Sequence, residues 1–151
     1  MEINTRDFGK VSVEDNSVYT FPHGIYGFEE DTEFALFVQT PDGLPFLYLQ
    51  STKNDVPCFL VFEPEEFVDG YSPSLTAEDL AVLEAKETDN LVCLVIATVP
   101  SDVSALSLNL KSPVVLNPAT KKAGQFILRD SDYPIKYYPF QAEESGGKDG
   151  A

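Results

Sequence analysis

The chain of 151 residues has no tryptophan, one methionine, one histidine and only ten bases against 25 acids. A net charge of −15 argues against binding nucleic acid or an anionic membrane surface, since affinity for phosphates comes from lysine and arginine. No apolar run approaches the ~20 residues that a membrane helix needs. Residues 1–6 lack the basic-then-apolar pattern of a secretion signal, and no Asn-x-Ser/Thr site occurs. The two cysteines, Cys58 and Cys93, each sit inside an apolar run and form no CxxC pair. They read as buried free thiols in a reducing compartment, with a disulfide possible but not required. The cytoplasm is the expected location.

The groups that catalysis needs are equally sparse. His23 has no cysteine or carboxylate companions at zinc-ligand spacing. There is no glycine-rich phosphate loop, GxSxG elbow or EF-hand loop. Asp130-Ser131-Asp132 offers two carboxylates without a partner set. The chain therefore reads as a protein that is not an enzyme, with no cofactor and no metal.

What is present is acid, placed unevenly. Residues 1–90 hold 19 acids against four bases, whereas residues 91–151 hold six of each. Two loops are dense in it. Glu29, Glu30, Asp31 and Glu33 stand in the first; Glu63, Glu65, Glu66 and Asp69 surround Phe67 in the second. Solvated loops are the plain reading, and an acidic face that meets a basic protein is the sharper one.

The stretch Phe21-Pro22-His23-Gly24-Ile25-Tyr26-Gly27-Phe28-Glu29 interrupts strand-like sequence. Pro22 removes a ladder donor. Gly24 and Gly27 permit positive φ, so they read as two corners of one turn pinned to a core by Phe21, Ile25 and Phe28.

Short strands are expected at 1–6, 10–14, 18–21, 34–39, 45–51, 58–62, 91–97, 106–111, 114–116, 125–128 and 135–138, from alternation or from short β-branched apolar runs. Thr40-Pro41-Asp42-Gly43 is a hairpin turn. Phe46-Leu47-Tyr48-Leu49 scarcely alternates, which predicts burial on both faces. The run at 91–97 is the most apolar and reads as the central strand. One helix is predicted over 77–87, with Thr76 and Asp79 as a capping box and Leu75 and Leu80 as a hydrophobic staple. Many strands, tight turns and one helix give a mainly β fold: a small antiparallel β-barrel or barrel-like sandwich with one short α-helix. Residues 1–140 form a single domain, and 141–151 a disordered acidic tail.

The turn at 21–29, Leu49-Gln50-Ser51, Asn109-Leu110-Lys111-Ser112-Pro113-Val114-Val115-Leu116-Asn117, Gln125 within 124–128, and Tyr133 occur in that order. This series resembles the flagellar assembly factor FliW family over about residues 1–140. The resemblance implies a small β-barrel-like fold and a non-enzymatic cytoplasmic regulator of flagellar assembly. It implies two partners, flagellin and the RNA-binding translational regulator CsrA. CsrA is antagonised by docking beside its RNA site, which couples flagellin level to flagellin translation. Phe21, Pro22, Gly24, Gly27, Phe28, Asn109, Pro113 and Asn117 then form the structural motif, the two asparagines satisfying backbone groups at strand ends, with direct contact as the other reading. The acids of the two loops, with Phe67, are the expected partner-binding set, by charge and not by the resemblance. The competing reading is a barrel that binds a small ligand or sugar at its mouth through Tyr19, Tyr26, Tyr48 and Phe67.

Overall fold

A computed structural model describes residues 1–86 and 90–141. The strands are β1 (Glu2–Thr5), β2 (Gly9–Ser12), β3 (Val18–Thr20), β4 (Glu33–Gln39), β5 (Phe46–Ser51), β6 (Cys58–Phe62), β7 (Val92–Thr98), β8 (Ser107–Leu108), β9 (Val114–Asn117) and β10 (Lys122–Gln125), with helix α1 at Ala77–Val82. The order β6-β5-β4-β3-β10-β9-β7 is closed by β7 pairing back to β6, so seven strands form a barrel, and β8 hangs on β7. All these pairings are antiparallel except β3 with β10, where the one register pair is Lys122↔Thr20.

Alternation along each strand explains where the residues go, because successive side chains point to opposite faces. Tyr19, Phe34, Leu49, Val61, Leu94, Val114, Leu116 and Ala123 point inward, and with Phe21 and Ile25 they fill the barrel. The outward residues are not left to solvent. The β1–β2 hairpin brings Ile3 and Val13 onto Ala35, Phe37, Tyr48 and Cys58. The 63–75 loop and the C-terminal segment cover Val95, Leu106, Leu108, Leu110 and Leu128. The end of the helix packs Leu83 on Val115 and Phe126. Tyr48 and Leu49 are therefore both buried, the two-sided burial that their poor alternation predicts.

Several strand expectations change. Of 106–111, only Ser107 and Leu108 form a ladder, although Leu106, Leu108 and Leu110 are all buried. The final strand is the single bridge Leu108↔Tyr137. The strand expected at 125–128 ends at Gln125; beyond it Phe126 N–H and Leu128 N–H keep the register and donate to the Pro113 and Lys111 carbonyls at 3.1 and 2.8 Å, but the return bonds are lost because Pro113 has no N–H and Lys111 N–H goes to the Pro134 carbonyl at 3.0 Å. The chain is also helical at 139–141. The remainder of the expected tail, from 142, lies outside the described residues.

The helix keeps its capping box but stops early. Glu84 takes φ 51°, Ala85 N–H reaches back to the Leu80 carbonyl at 2.9 Å and Glu84 N–H to the Ala81 carbonyl at 3.1 Å. This pairing is a Schellman ending with a glutamate where glycine usually stands. The orphaned Leu83 carbonyl accepts from Asn117 Nδ2 and Thr120 Oγ1, both at 2.9 Å.

The turn at 21–29 has the two expected corners, Gly24 at φ 65° and Gly27 at φ 90°. Phe21 and Ile25 are buried. Phe28, expected to pin the turn in the core, is 40% exposed. It stands edge-on against Phe59 at 5.5 Å between ring centroids, because the Phe28 N–H to Ile25 carbonyl turn (2.7 Å) leaves its side chain outside the wall.

The two glycines differ in a measurable way. A Cβ on Gly27 meets nothing within 4 Å, whereas one on Gly24 falls 2.6 Å from the Glu29 Cα. Gly27→Ala should lose about 1–2 kcal/mol, the cost of a left-handed alanine. Gly24→Ala should lose more than twice that, about 3–5 kcal/mol, through backbone overlap. Urea unfolding at 25 °C measures both.

Candidate functional site: acidic clefts on either side of a short helix

The first acidic loop divides by role. The Glu29 carboxylate accepts the Gly27 N–H at 2.9 Å, and that backbone hydrogen bond lowers its pKa. Glu29 and Glu30 are exposed. Asp31 and Glu33 turn back into the fold. Asp31 Oδ1 accepts from Ser51 Oγ at 3.0 Å and Asn54 Nδ2 at 3.1 Å, and Glu33 Oε1 accepts from Thr52 Oγ1 at 2.6 Å. They hold the 52–57 loop to the start of β4. Gln50, fully buried beside them, completes the tie. Its Oε1 accepts Arg6 N–H at 3.0 Å and its Nε2 donates to the Asn54 and Asp55 carbonyls at 3.1 Å.

The second loop divides likewise. Glu63, Glu65, Glu66 and Asp69 are exposed. Phe67 is half-buried and packs edge-on against Phe62 at 5.6 Å, so it tacks the loop to the barrel.

Helix α1 separates the two groups. On one side a cleft of about 370 Å³ is lined by His23, Glu29, Glu78, Asp79, Val82 and Gln125, among others. On the other, a cleft of about 600 Å³ runs between Glu63, Glu65, Tyr71, Leu75, Leu80 and Val92. Glu78, Asp79 and Val82 face the first and Leu80 the second, as a 100° turn per residue requires. Glu78 and Asp79 stand in the first helical turn, where Asp79 completes the capping box, and the same positions put both carboxylates at the first cleft. Val92 was expected inside the central strand, yet it is 37% exposed because β6 turns away before reaching it.

The motif residues act on backbone. Asn109 Oδ1 accepts Ser112 N–H at 3.0 Å. Pro113 is buried. Asn117 is 1% exposed and donates to the helix end. Gln125 links two distant motif segments: its Oε1 accepts Tyr26 N–H at 3.1 Å and its Nε2 donates to the Ser112 carbonyl at 3.1 Å. Above this link Tyr26, Ile127 and Ile135 stand exposed around a cleft of about 400 Å³ floored by Phe59 and Ile96. The tyrosines of the ligand-binding reading are not gathered: Tyr19 is in the filled barrel, Tyr48 lies under the hairpin, Phe67 is on the outer wall and Tyr26 is exposed.

The two cysteines are free and lie in different outer cores. Burial pushes the Cys58 thiol up to about 11, against the pull of the Arg6 guanidinium. Burial pushes Cys93 up to about 12, and the Glu65 carboxylate adds to it. Burial also raises Tyr71, whose hydroxyl donates to the Leu110 carbonyl at 2.7 Å. No group of three or more His, Cys, Asp or Glu among the described residues is placed to hold a metal. No helix is long and apolar enough to cross a membrane.

A closed barrel with a filled interior, and with Glu29, Glu63, Glu65 and several exposed apolar residues set at clefts on its outer wall, defines a small β-barrel protein. The chain belongs to the FliW family: the family model described as FliW protein matches residues 2–139. Flagellar assembly factor FliW of Natranaerobius thermophilus is 36% identical over 138 residues, covering 91% of each chain. That of Syntrophomonas wolfei is 36% identical over 150 residues, covering 97% of this chain and 96% of its own. The crystal structure of a flagellar assembly factor FliW superposes with a TM-score of 0.82 at 28% identity, covering 93% of this chain and 97% of that one.

Neither thiol should react with iodoacetamide at pH 8 in the native state, and both should react in denaturant, as read by mass spectrometry. Because burial raises Cys58, Cys93 and Tyr71, the unfolded chain releases these protons first. Stability present below about pH 9 should then fall as pH rises towards 12, as read from urea midpoints across that range.

Proposed function

We propose that this flagellar assembly factor binds flagellin in the cytoplasm and, when flagellin is scarce, binds and antagonises the RNA-binding translational regulator CsrA. The family resemblance supplies the two partners. The observation that carries the reading is the set of carboxylates on both sides of α1 that have no ion-pair partner among the described residues. Among the described residues the ion pairs are Met1 with Asp15 and Arg6 with Asp7, and neither involves Glu29, Glu30, Glu63, Glu65, Glu66 or Asp69. A surface of that kind draws a basic RNA-binding protein from a distance and, once docked, repels RNA phosphates nearby.

Asp31 and Glu33 already serve the fold, so Glu29 and Glu30 in the first loop, and Glu63, Glu65, Glu66 and Asp69 in the second, carry the proposed contact. Phe67 serves it indirectly by anchoring the second loop. Antagonism needs no catalytic group: occupation of a site beside the RNA surface, with a negative field laid across it, weakens RNA binding through the coupling free energy between the two sites.

Tagged wild-type protein should retain flagellin and CsrA from a lysate of flagellated cells; retention of neither would sink the reading. Glu29→Lys/Glu30→Lys should weaken purified CsrA binding about tenfold at low salt and flatten its dependence on ionic strength, as measured by titration calorimetry. Unchanged affinity and unchanged salt dependence would remove the first loop from the interface.

A further inference from the structure

We propose that the cleft between α1 and the 63–66 turn is a docking groove for a basic protein segment that inserts an aliphatic side chain between Leu75, Leu80 and Val92 and sets lysine or arginine against Glu63 and Glu65. This deepens the proposed function and rests on its reading that the partner is a protein.

The groove exists because the barrel closes imperfectly. β6 meets β7 at Val61↔Ile96 and Phe62↔Val95, whereas β7 begins at Val92. After Phe62 the chain leaves the sheet through the 3-10 turn Pro64–Glu66. Val92, Cys93 and Leu94 thus pair with β9 on one side and have no β6 partner on the other. Helix α1 stands across this wedge but fills it incompletely, leaving about 600 Å³. Cavities of this size accept a small ligand or a few side chains.

The lining selects the occupant. Its floor and walls are apolar: Leu75, Leu80, Val92 and the half-buried Cys93. Its rim has Glu63 and Glu65, both exposed. Among the described residues no lysine or arginine lines it, and neither glutamate has an ion-pair partner. Glu65 and Cys93 line the same groove, which sets the carboxylate at its rim near the thiol on its floor. An apolar floor under uncompensated acids favours an apolar side chain flanked by cations, and disfavours an acidic or a wholly polar segment. With net charge −15, the whole chain adds attraction of the same sign.

The probe is a fluorescein-labelled decapeptide of alternating leucine and lysine, followed by fluorescence anisotropy in low salt. Peptides alternating leucine with glutamate, and serine with lysine, are the controls. The leucine–lysine peptide should bind at least tenfold more tightly than either control. Val92→Gln should weaken it at least fivefold, and Glu63→Lys/Glu65→Lys at least tenfold. Glu2→Lys/Glu14→Lys makes the same change in net charge on the remote hairpin and should weaken it less than twofold. Equal loss in the two charge-reversal pairs, or binding indifferent to leucine, would overturn the groove as bulk electrostatics. Urea midpoints establish that each variant is folded; if Val92→Gln is not, the exposed glutamate pair carries the test. Self-association that is lost in the same variants would put a second copy of the chain in the groove and overturn the proposal. The two readings fail separately. Wild-type capture of flagellin and CsrA that persists in the groove variants ends the groove and leaves the function. Groove-dependent peptide binding without such capture ends the function and leaves the groove.

Discussion

Closure of the barrel through two narrow seams is the constraint on which the other features depend. One seam is the parallel contact of β3 with β10, a single register pair reinforced by the Thr20 N–H to Lys121 carbonyl hydrogen bond at 2.8 Å. The other is the two-residue pairing of β6 with β7. Neither ladder is long enough to hold a barrel by hydrogen bonds alone, since each contributes about 0.5–1.5 kcal/mol net. The inward side chains hold it instead. Phe34, Leu49, Val61, Leu94 and Leu116 on β4, β5, β6, β7 and β9, Ala123 on β10 and Phe21 just beyond β3 are at most 1% exposed. Fully burying a side chain of this kind is worth about 1.5–3 kcal/mol. Opening either seam would expose several together.

A barrel this small leaves its outer wall to be covered, and the coverings do the remaining structural work. The hairpin, the C-terminal segment and the helix each bring their own apolar residues to a different sector. Polar groups whose partners are backbone atoms tie down the hairpin (Gln50), the 63–75 loop (Tyr71) and the helix end (Asn117). No buried side-chain nitrogen or oxygen among the described residues lacks a partner. Where coverage is incomplete, clefts remain, and the acids stand at the rims of two of them. The surface available to another protein is therefore a by-product of how the wall is closed.

The strands at 34–39, 46–51, 58–62 and 92–97 were legible because each is a short apolar run of strand length, rich in aromatic or β-branched residues and bounded by turn residues. The helix start was legible for a similarly local reason, as Thr76 and Asp79 satisfy each other across one turn. Its end was not. Glu84 carries no glycine signal, and the carbonyl it frees is satisfied by Asn117 and Thr120, more than 30 residues away. Leu106, Leu108 and Leu110 alternate as a strand does, yet only one short ladder forms, because their outward backbone meets the C-terminal segment irregularly. Within the acidic loops the sequence does not separate Asp31 and Glu33, which bind Ser51 and Thr52, from Glu29 and Glu30, which do not.

The sequence by itself determined that this is a mainly β protein with an acidic first three-fifths, a turn at 21–29 that needs two glycines, and an ordered series of motifs shared with one family. Those properties follow from local periodicity, backbone permissiveness and charge count. The tertiary structure alone decided which carboxylates remain free, that Phe28 stands outside while Phe21 and Ile25 go in, and that the two acidic loops lie on opposite sides of α1. The reason is that burial and pairing of a side chain depend on partners distant along the chain. Here those partners are fixed only once β6 has met β7 and the ring is closed.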